Sequence, residues 1–353
     1  MDAEDQVVLS MGPEELSRAA GSDWSIELKL DWEDMEPGGY FHEEAGLDEL
    51  LENSGVDPDR VVDIHLPPGT SDSNPGMSAV EENVGAMAGF SYDHLEDRDD
   101  IFLTTHPPKQ FRYLDQLWVL KDLLERVPNE VSIENTSDPS KWYTPEAVAF
   151  FGFVGSQYPE SFEDLYLTVD SAHLPQGDYV QQDFDDYYKP EDEEVAALMD
   201  RSETGREWLF EIDYDQVEDI VHEINEDLEE GDDIFPVKYL DFMGENFRDM
   251  VEGHGYGENG IITDNDLTGD TYLPFLRVLA MTGERVKSVH LNDPDSNDVP
   301  GMSDYRRSEA LQAAMGYMGD SDIYVVLEPE GEMAPGEASR RVDEVVEMLE
   351  ESG

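Results

Sequence analysis

The chain has 353 residues and a formal net charge of −65 at neutral pH, from 86 acidic and 21 basic side chains. Apolar residues still make up 39% of the sequence and aromatic residues 10%, so a packed core beneath an acidic surface is expected, because disordered chains combine high charge with few aromatic residues. The sequence contains no Cys, which excludes disulfides, thiolate metal ligands and a cysteine nucleophile.

An acidic surface of this kind is typical of proteins that work in a salt-loaded cytoplasm, where the Debye length falls to ~3 Å and repulsion between carboxylates is screened. We interpret the charge as an adaptation to that solvent; a surface that binds a basic partner is the alternative. The N-terminal segment MDAEDQVVLS lacks the basic and apolar regions of a signal peptide, and no apolar run approaches the ~18 residues of a membrane span. The sequence therefore predicts a cytoplasmic protein without a membrane partner, and it leaves the oligomeric state open.

Strand-like and helix-like segments alternate along the chain, which predicts a parallel β-sheet covered by helices. VVLSM at 7–11 is a weak first strand. SIELKLDW at 25–32 alternates apolar and charged residues, as a barrel strand with a partly polar inner face does. Helices are predicted at LDELLENSG, which ends in a glycine stop, at 77–95 and at 111–127.

Six short apolar runs each end in a histidine or a carboxylate and then meet Pro, Gly or Asn. Such runs are typical of strands buried on both faces, and polar residues at the carboxyl ends of parallel strands form the active face of a barrel. With the two N-terminal strands they predict an α/β fold, a (β/α)8 TIM barrel in which residues 1–353 form a single domain. The runs are VVDIH ending at His65, IFLTTH at His106, VSIE at Glu134, LYLTVDSAH with Asp170 and His173, VKSVH at His290 and IYVVLE at Glu328.

The alternation is interrupted between strands six and seven by an acidic stretch at 175–284. Without it the chain has about 240 residues, close to the ~250 of a typical (β/α)8 barrel. The last part of the stretch, TYLPFLRVLAMTG, is predicted as the helix that precedes strand seven, and 217–228 as a further amphipathic helix. The sequence therefore predicts a large acidic insertion at 175–275, either an elaborated loop or a small subdomain.

Seven nitrogen and oxygen donors at the ends of six strands make a divalent-metal site the leading interpretation. Imidazole and carboxylate together suit Zn, Mn, Co or Fe, and Mg less well as nitrogen ligands increase. A carboxylate can also bridge two ions ~3.5–4 Å apart. Each residue alone has a structural alternative, as a hydrogen-bonded core histidine or an ion-paired carboxylate, and Asp170 with His173 can cap a helix N-terminus.

The order of these strand ends, with the strings Glu134-Asn135-Thr136, Asp170-x-x-His173 and His290-Leu-Asn-Asp293, resembles the xylose isomerase-like TIM-barrel superfamily. That superfamily includes sugar and sugar-phosphate isomerases and epimerases and the endonuclease IV-type AP endonucleases of family 2. The epimerase branch implies one metal, with Glu134 and Glu328 as acid and base. The endonuclease branch implies a second metal as well. The implied sets are Glu134, Asp170, His290 and Glu328 for the metal common to both branches, and His65, His106 and Glu134 for the second.

One element departs from the endonuclease pattern. That branch holds a third metal through the D-x-x-H histidine and a later Asp-x-His, but here the later element is Asp304-Tyr305-Arg306. Arg offers no lone pair to a metal, so the resemblance does not extend to a third ion. The sequence also shows no basic patch that could track DNA, and phosphate contacts weaken steeply with salt.

The first functional expectation is a divalent-metal-dependent isomerase or epimerase that acts on a small sugar or sugar phosphate. Glu134 and Glu328 would transfer the proton, Arg306 would hold a substrate phosphate, and Asn292 and Asp293 would contact the substrate. One alternative is a metal-dependent phosphodiesterase acting on abasic DNA, for which nucleic acid is the partner. The other is a barrel that binds metal without turnover.

The interpretation of the surface charge predicts salt-dependent stability. Transfer from molar KCl to millimolar buffer containing a metal chelator should lower the melting temperature, because the carboxylates are then no longer screened from one another. Circular dichroism melting curves at both salt concentrations measure the effect. An unchanged melting temperature would contradict the interpretation.

Overall fold

A computed structural model describes the chain at residues 1–31, 34, 41, 46–67, 77–95, 98, 100–106, 123–135, 164–174, 270–282, 285–294, 298–328 and 335–352. Eight strands form a closed barrel in which each strand pairs in parallel with the next and the last pairs with the first. The predicted eight-stranded parallel barrel is therefore confirmed. The strands are β1 (Val7–Met11), β2 (Ser25–Lys29), β3 (Val61–His65), β4 (Phe102–Thr105), β5 (Val131–Glu134), β6 (Leu165–Asp170), β7 (Val286–His290) and β8 (Tyr324–Leu327).

Among the described residues, helices lie between strands where the sequence pattern predicted them, which gives a TIM-barrel-like α/β fold. The helix after β2 ends at Gly55, whose φ of 73° lies in the left-handed region and whose N–H reaches the carbonyl oxygen of Leu51, so the predicted glycine stop is confirmed. The α-helices are Ala3–Gln6, Leu47–Ser54, Met77–His94, Leu273–Thr282, Met302–Tyr305, Glu309–Gly319 and Pro335–Ser352, and the 3₁₀ helices are Pro13–Arg18 and Pro58–Arg60.

The apolar core lies between the barrel and the helices. Successive residues of a strand point to opposite faces, so every second residue of each run faces outward. Ile64, Ile133 and Val289 are fully buried on that outer side and belong to one core with Phe275 and Met315 of the helices. The remaining strand positions face the barrel interior.

The barrel interior carries a buried polar layer below the carboxyl ends of the strands. Thr168 Oγ1 lies 2.6 Å from Ser132 Oγ, 2.7 Å from Ser288 Oγ and 3.3 Å from Thr104 Oγ1. Thr104 Oγ1 donates to Asp63 Oδ2 at 2.7 Å. TIM barrels usually fill this space with branched apolar residues. Here each hydroxyl has a partner, which offsets the cost of its burial. We call these five residues the polar layer.

The predicted insertion at 175–275 lies outside the described residues except at its end. The helix predicted from TYLPFLRVLAMTG is confirmed, and because it begins at Leu273 it overlaps the last residues assigned to the insertion. The helix predicted at 217–228 also lies outside the described residues. Of the helix predicted at 111–127, the structure describes the last turn, which is helical. Within the described ranges, no helix has the length and apolar character needed to cross a membrane.

Candidate metal centre

Glu134, the last residue of β5, lies at the centre of the predicted donors and is 1% exposed. Its Oε2 lies 3.1 Å from His65 Nε2 and 3.0 Å from His106 Nε2. Its Oε1 lies 3.2 Å from His290 Nδ1 and 3.8 Å from His173 Nδ1. Four imidazoles from four strand ends therefore enclose one carboxylate, so donors that are distant in the sequence meet at one end of the barrel.

The donors form two groups that share Glu134. Within each group, one donor atom of every member lies within 4.8 Å of the others. The four-donor group consists of Glu134, Asp170, His290 and Glu328, and the three-donor group consists of His65, His106 and Glu134. These are the same members as the two metal sets that the resemblance implied. Glu134 thus lies where a carboxylate can bridge two cations.

Asp170 ends β6 and uses its two oxygens differently. Oδ1 accepts hydrogen bonds from the backbone N–H groups of Ala172 at 2.7 Å and of His173 at 3.1 Å, so it closes the turn after the strand. Oδ2 lies 3.3 Å from His173 Nδ1 and accepts from Asn292 Nδ2 at 3.4 Å. One oxygen of Asp170 therefore bonds to the backbone of the turn, and the other contacts the side chains of His173 and Asn292. His173 belongs to neither donor group and is 31% exposed.

Asn135 fixes β5 to β6 directly behind the donors. Its Oδ1 accepts a hydrogen bond from the backbone N–H of Asp170 at 2.8 Å, and its Nδ2 donates to the Asp170 carbonyl oxygen at 3.1 Å. The side chain thus makes two bonds to the neighbouring backbone at the point where both strands end. This holds Glu134 and Asp170 in a fixed relation to each other.

The three predicted substrate contacts lie in different places. Asn292 is buried against Asp170. Asp293 Oδ2 accepts a hydrogen bond from the Tyr272 hydroxyl at 3.3 Å. Arg306 is exposed at the end of the short helix before it, and none of the contacts described for the two donor groups includes it. The structure therefore brings Asn292 to the donors, and the role of Arg306 in binding a phosphate stays a prediction.

Two residues of β2, Glu27 and Lys29, also lie at the site, and neither was among the site residues predicted from the sequence. Glu27 is fully buried, and its Oε2 lies 2.9 Å from His290 Nε2. Lys29 is half exposed, and its Nζ donates to Glu328 Oε1 at 2.6 Å. The alternation in SIELK carried the signal, because every second residue of a barrel strand faces the interior.

The imidazoles and carboxylates of the centre shift one another's pKa. Burial alone would lower the pKa of His65, but Glu134 and Glu27 outweigh it and raise that pKa to about 10. Burial alone would raise the pKa of Glu134, but His106, His290 and His65 together hold that pKa well below its usual range. Protonated histidines therefore balance the Glu134 carboxylate. A divalent cation would take over this role, because a metal binds the neutral imidazole.

The pKa values of the two remaining carboxyls of the four-donor group are shifted in opposite directions. Burial, helped by the charges of Glu134 and Glu328, raises the pKa of Asp170 above its ordinary value despite the opposing effect of His173. Burial would also raise the pKa of Glu328, but His290 and Lys29 lower it to about 2. Glu328 is therefore ionised at neutral pH.

The donor atoms fit a divalent cation. Glu134 Oε2 and His290 Nδ1 have no hydrogen-bond partner among the described residues, although ion-pair partners lie at 3.0–3.2 Å. The separations are short enough for hydrogen bonds, but the atoms are not aligned for them. A cation held by the donor groups would satisfy these buried atoms. Histidine nitrogen with carboxylate oxygen suits Zn, Mn or Co.

No model of a known protein family, no curated protein and no solved structure matches the chain. Membership of the xylose isomerase-like superfamily therefore stays a prediction that rests on the order of the donors along the sequence.

Proposed function

We propose that this chain is a divalent-metal-dependent enzyme that isomerises a sugar or sugar phosphate. The observation that carries the proposal is the position of Glu328 in the four-donor group. Its side chain is 17% exposed, whereas the side chains of Glu134 and Asp170 are each 2% exposed. Glu328 is therefore the carboxylate of this group that a substrate at the barrel mouth can reach.

The four-donor group would hold the cation, which when bound polarises a substrate carbonyl and stabilises negative charge on its oxygens. Glu328 then accepts a proton from the hydroxyl-bearing carbon beside the carbonyl and returns it to the former carbonyl carbon, while the proton of that hydroxyl moves to the former carbonyl oxygen. Glu328 is ionised at neutral pH, which is the form that accepts a proton. Lys29 orients the carboxylate through its hydrogen bond to Oε1.

The enclosure of Glu134 favours isomerisation over epimerisation. Epimerisation at one carbon needs a second acid–base group on the opposite face of the substrate, which is the role the resemblance implied for Glu134. Imidazoles already face both of its oxygens, so its surroundings suit a metal ligand better. One base is enough for isomerisation, because the same carboxylate can carry the proton between adjacent carbons.

The charge of the chain favours a small polyol over nucleic acid as substrate. With 86 acidic and 21 basic side chains, few cations are present to contact a phosphodiester backbone, and such contacts weaken steeply with salt. At the site itself, the half-exposed Lys29 offers one cation that can contact a phosphate or hydroxyl oxygen. A single small anionic group matches this arrangement.

Proton exchange with solvent tests the proposal. Candidate aldoses and ketoses, free and phosphorylated, are incubated with the enzyme in D2O containing Mn2+ and molar KCl, and the α-proton is followed by NMR. Glu328→Gln should slow exchange by about 10²–10⁴-fold, because an amide cannot accept the proton. Glu347→Gln changes an exposed glutamate of the last helix and is the matched control, which should exchange at the wild-type rate.

The manganese content of each variant is measured as well. A Glu328→Gln protein that keeps its manganese has lost only the base, whereas one that has lost manganese has lost a metal ligand. If the Mn-loaded wild-type protein exchanges no proton across the whole panel, the isomerase proposal fails, and a barrel that binds metal without turnover takes its place.

Hydrolysis of a phosphodiester is a second candidate, favoured by the position of Glu134 between the two donor groups. The three-donor group gives a second cation position, and two cations ~3.5–4 Å apart can activate water and hold phosphoryl oxygens. The chain's own contribution is to fix Glu134 between the imidazoles, so that the two groups keep their relative position.

Metal content and a cleavage assay test this second candidate. Two ions per chain are expected at saturation by equilibrium dialysis, and Glu134→Gln should reduce the number bound, because a neutral amide is a poor bridging ligand. Cleavage of an abasic-site duplex in molar KCl, lost in the same variant, would favour hydrolysis. A wild-type protein that binds a single ion, or that exchanges sugar protons without cleaving the duplex, would rule hydrolysis out.

A further inference from the structure

We propose that Glu27 is a positioning residue that holds one imidazole of each donor group from the interior side and so couples the two metal positions. The inference rests on the proposed metal centre. It assigns a role to a residue of β2 that contributes to neither of the two groups sharing Glu134. In this arrangement the buried Glu27 carboxylate tunes the affinity for both cations.

His290 shows the arrangement most directly, because its two ring nitrogens face in opposite directions. Nδ1 lies 3.2 Å from Glu134 Oε1 and 3.4 Å from Glu328 Oε2, toward the four-donor group. Nε2 lies 2.9 Å from Glu27 Oε2, at hydrogen-bond distance. An imidazole that binds a metal through one nitrogen usually donates its other N–H to a carboxylate, which fixes the tautomer and the ring orientation.

His65 repeats the arrangement in the three-donor group. Its Nε2 faces Glu134 Oε2 at 3.1 Å, and its Nδ1 lies 3.7 Å from Glu27 Oε1. That separation is an ion-pair distance and too long for a hydrogen bond. Neither His65 Nδ1 nor Glu27 Oε1 has a hydrogen-bond partner in the part of the chain that the structure describes. The two oxygens of Glu27 are thus directed at histidines of different groups.

Glu27 is better placed as a support than as a ligand. With Glu328, His65 and His290 it also forms a set whose donor atoms lie within 4.8 Å of one another. However, Glu27 Oε2 and His290 Nε2 are 2.9 Å apart and aligned as a hydrogen bond. The contacts of Glu134 Oε2 and of His290 Nδ1 are not aligned in this way, since neither atom has a hydrogen-bond partner among the described residues. Glu27 is also fully buried, on the side away from the barrel mouth.

The polar layer leaves Glu27 available for the two imidazoles. Asp63 is the neighbour of Glu27 in the register of β2 and β3. Its two oxygens accept hydrogen bonds from the backbone N–H of Thr104 at 3.1 Å and from Thr104 Oγ1 at 2.7 Å. Asp63 is therefore held by β4, and Glu27 is the acidic side chain that reaches across the interior to β7.

Metal affinity of the Glu27→Gln variant tests the inference without a substrate. Zn2+ dissociation constants and stoichiometry are measured by competition with a chromophoric chelator in molar KCl. The amide keeps the size of the side chain but loses its charge. We expect two ions to remain bound, each about 10–100-fold more weakly than in the wild type, the range found when the partner of a metal-binding histidine is removed.

Thr168→Val is the matched control, which tests whether any change to a buried polar side chain of the barrel interior alters Zn2+ affinity. It removes a hydroxyl from the polar layer, where Thr168 contacts three other hydroxyls and neither imidazole. It should lower the melting temperature and leave both Zn2+ affinities unchanged. If Glu27→Gln does not fold, Glu27→Asp is measured in the same way. This variant keeps the charge but shortens the side chain by one carbon, and it should also weaken the binding of both ions.

The outcomes separate this inference from the proposed function. Unchanged affinities in the Glu27 variant, or weakening of one ion only, would overturn the coupling. Loss of an ion together with a changed Co2+ absorption spectrum would show that Glu27 is a ligand and would overturn the positioning role. A wild-type protein that binds a single Zn2+ would overturn the coupling and leave the proposed isomerase standing, whereas a wild-type protein that binds no Zn2+ would overturn the metal centre itself. Both results are seen before any variant is made.

Discussion

The enclosure of the Glu134 carboxylate by imidazoles is the interaction on which the open end of the barrel depends. A carboxylate that is 1% exposed is strongly destabilising unless positive charge or hydrogen bonds compensate it. Here the compensation comes from His65, His106 and His290, which belong to three other strand ends. The barrel can therefore bury this charge only when its strands are closed in the correct register, and the same closure creates two groups of metal donors around it.

The interior below this carboxylate follows from the same constraint. An apolar barrel interior would leave the imidazoles around Glu134 without polar partners on their interior side. Buried polar groups without partners are destabilising. The chain instead places Glu27 beneath two of the imidazoles, and it places beside Glu27 a layer of hydroxyls that bond to one another. Glu27 thus gives the imidazoles a polar partner from the interior, and the hydroxyl layer satisfies its own buried groups without contacting them.

The sequence was sufficient to predict the eight strands and the meeting of their ends, because short apolar runs and turn residues are local signals and a closed parallel barrel has one carboxyl face. It was not sufficient to assign Glu27. That residue lies within a strand, and its partner His290 is 263 positions away and across the barrel, so the contact arises from closure alone. Arg306, which follows the His290-Leu-Asn-Asp293 string in the sequence, was predicted to hold a substrate phosphate. In the structure it is exposed at the end of the helix Met302–Tyr305, and that helix sets the direction of its side chain.

The extreme surface charge and the chemistry of the site are physically separate. At molar salt the Debye length is ~3 Å, so exposed carboxylates are screened from one another, but buried charges in contact at about 3 Å are screened far less. The surface can therefore change with the salt of the environment while the balance around Glu134 stays fixed. Lys29 and Glu328, paired at 2.6 Å at the edge of the site, lie between these two cases, because Lys29 is 50% exposed and Glu328 is 17% exposed. Their attraction therefore weakens with salt more than the buried contacts around Glu134 do.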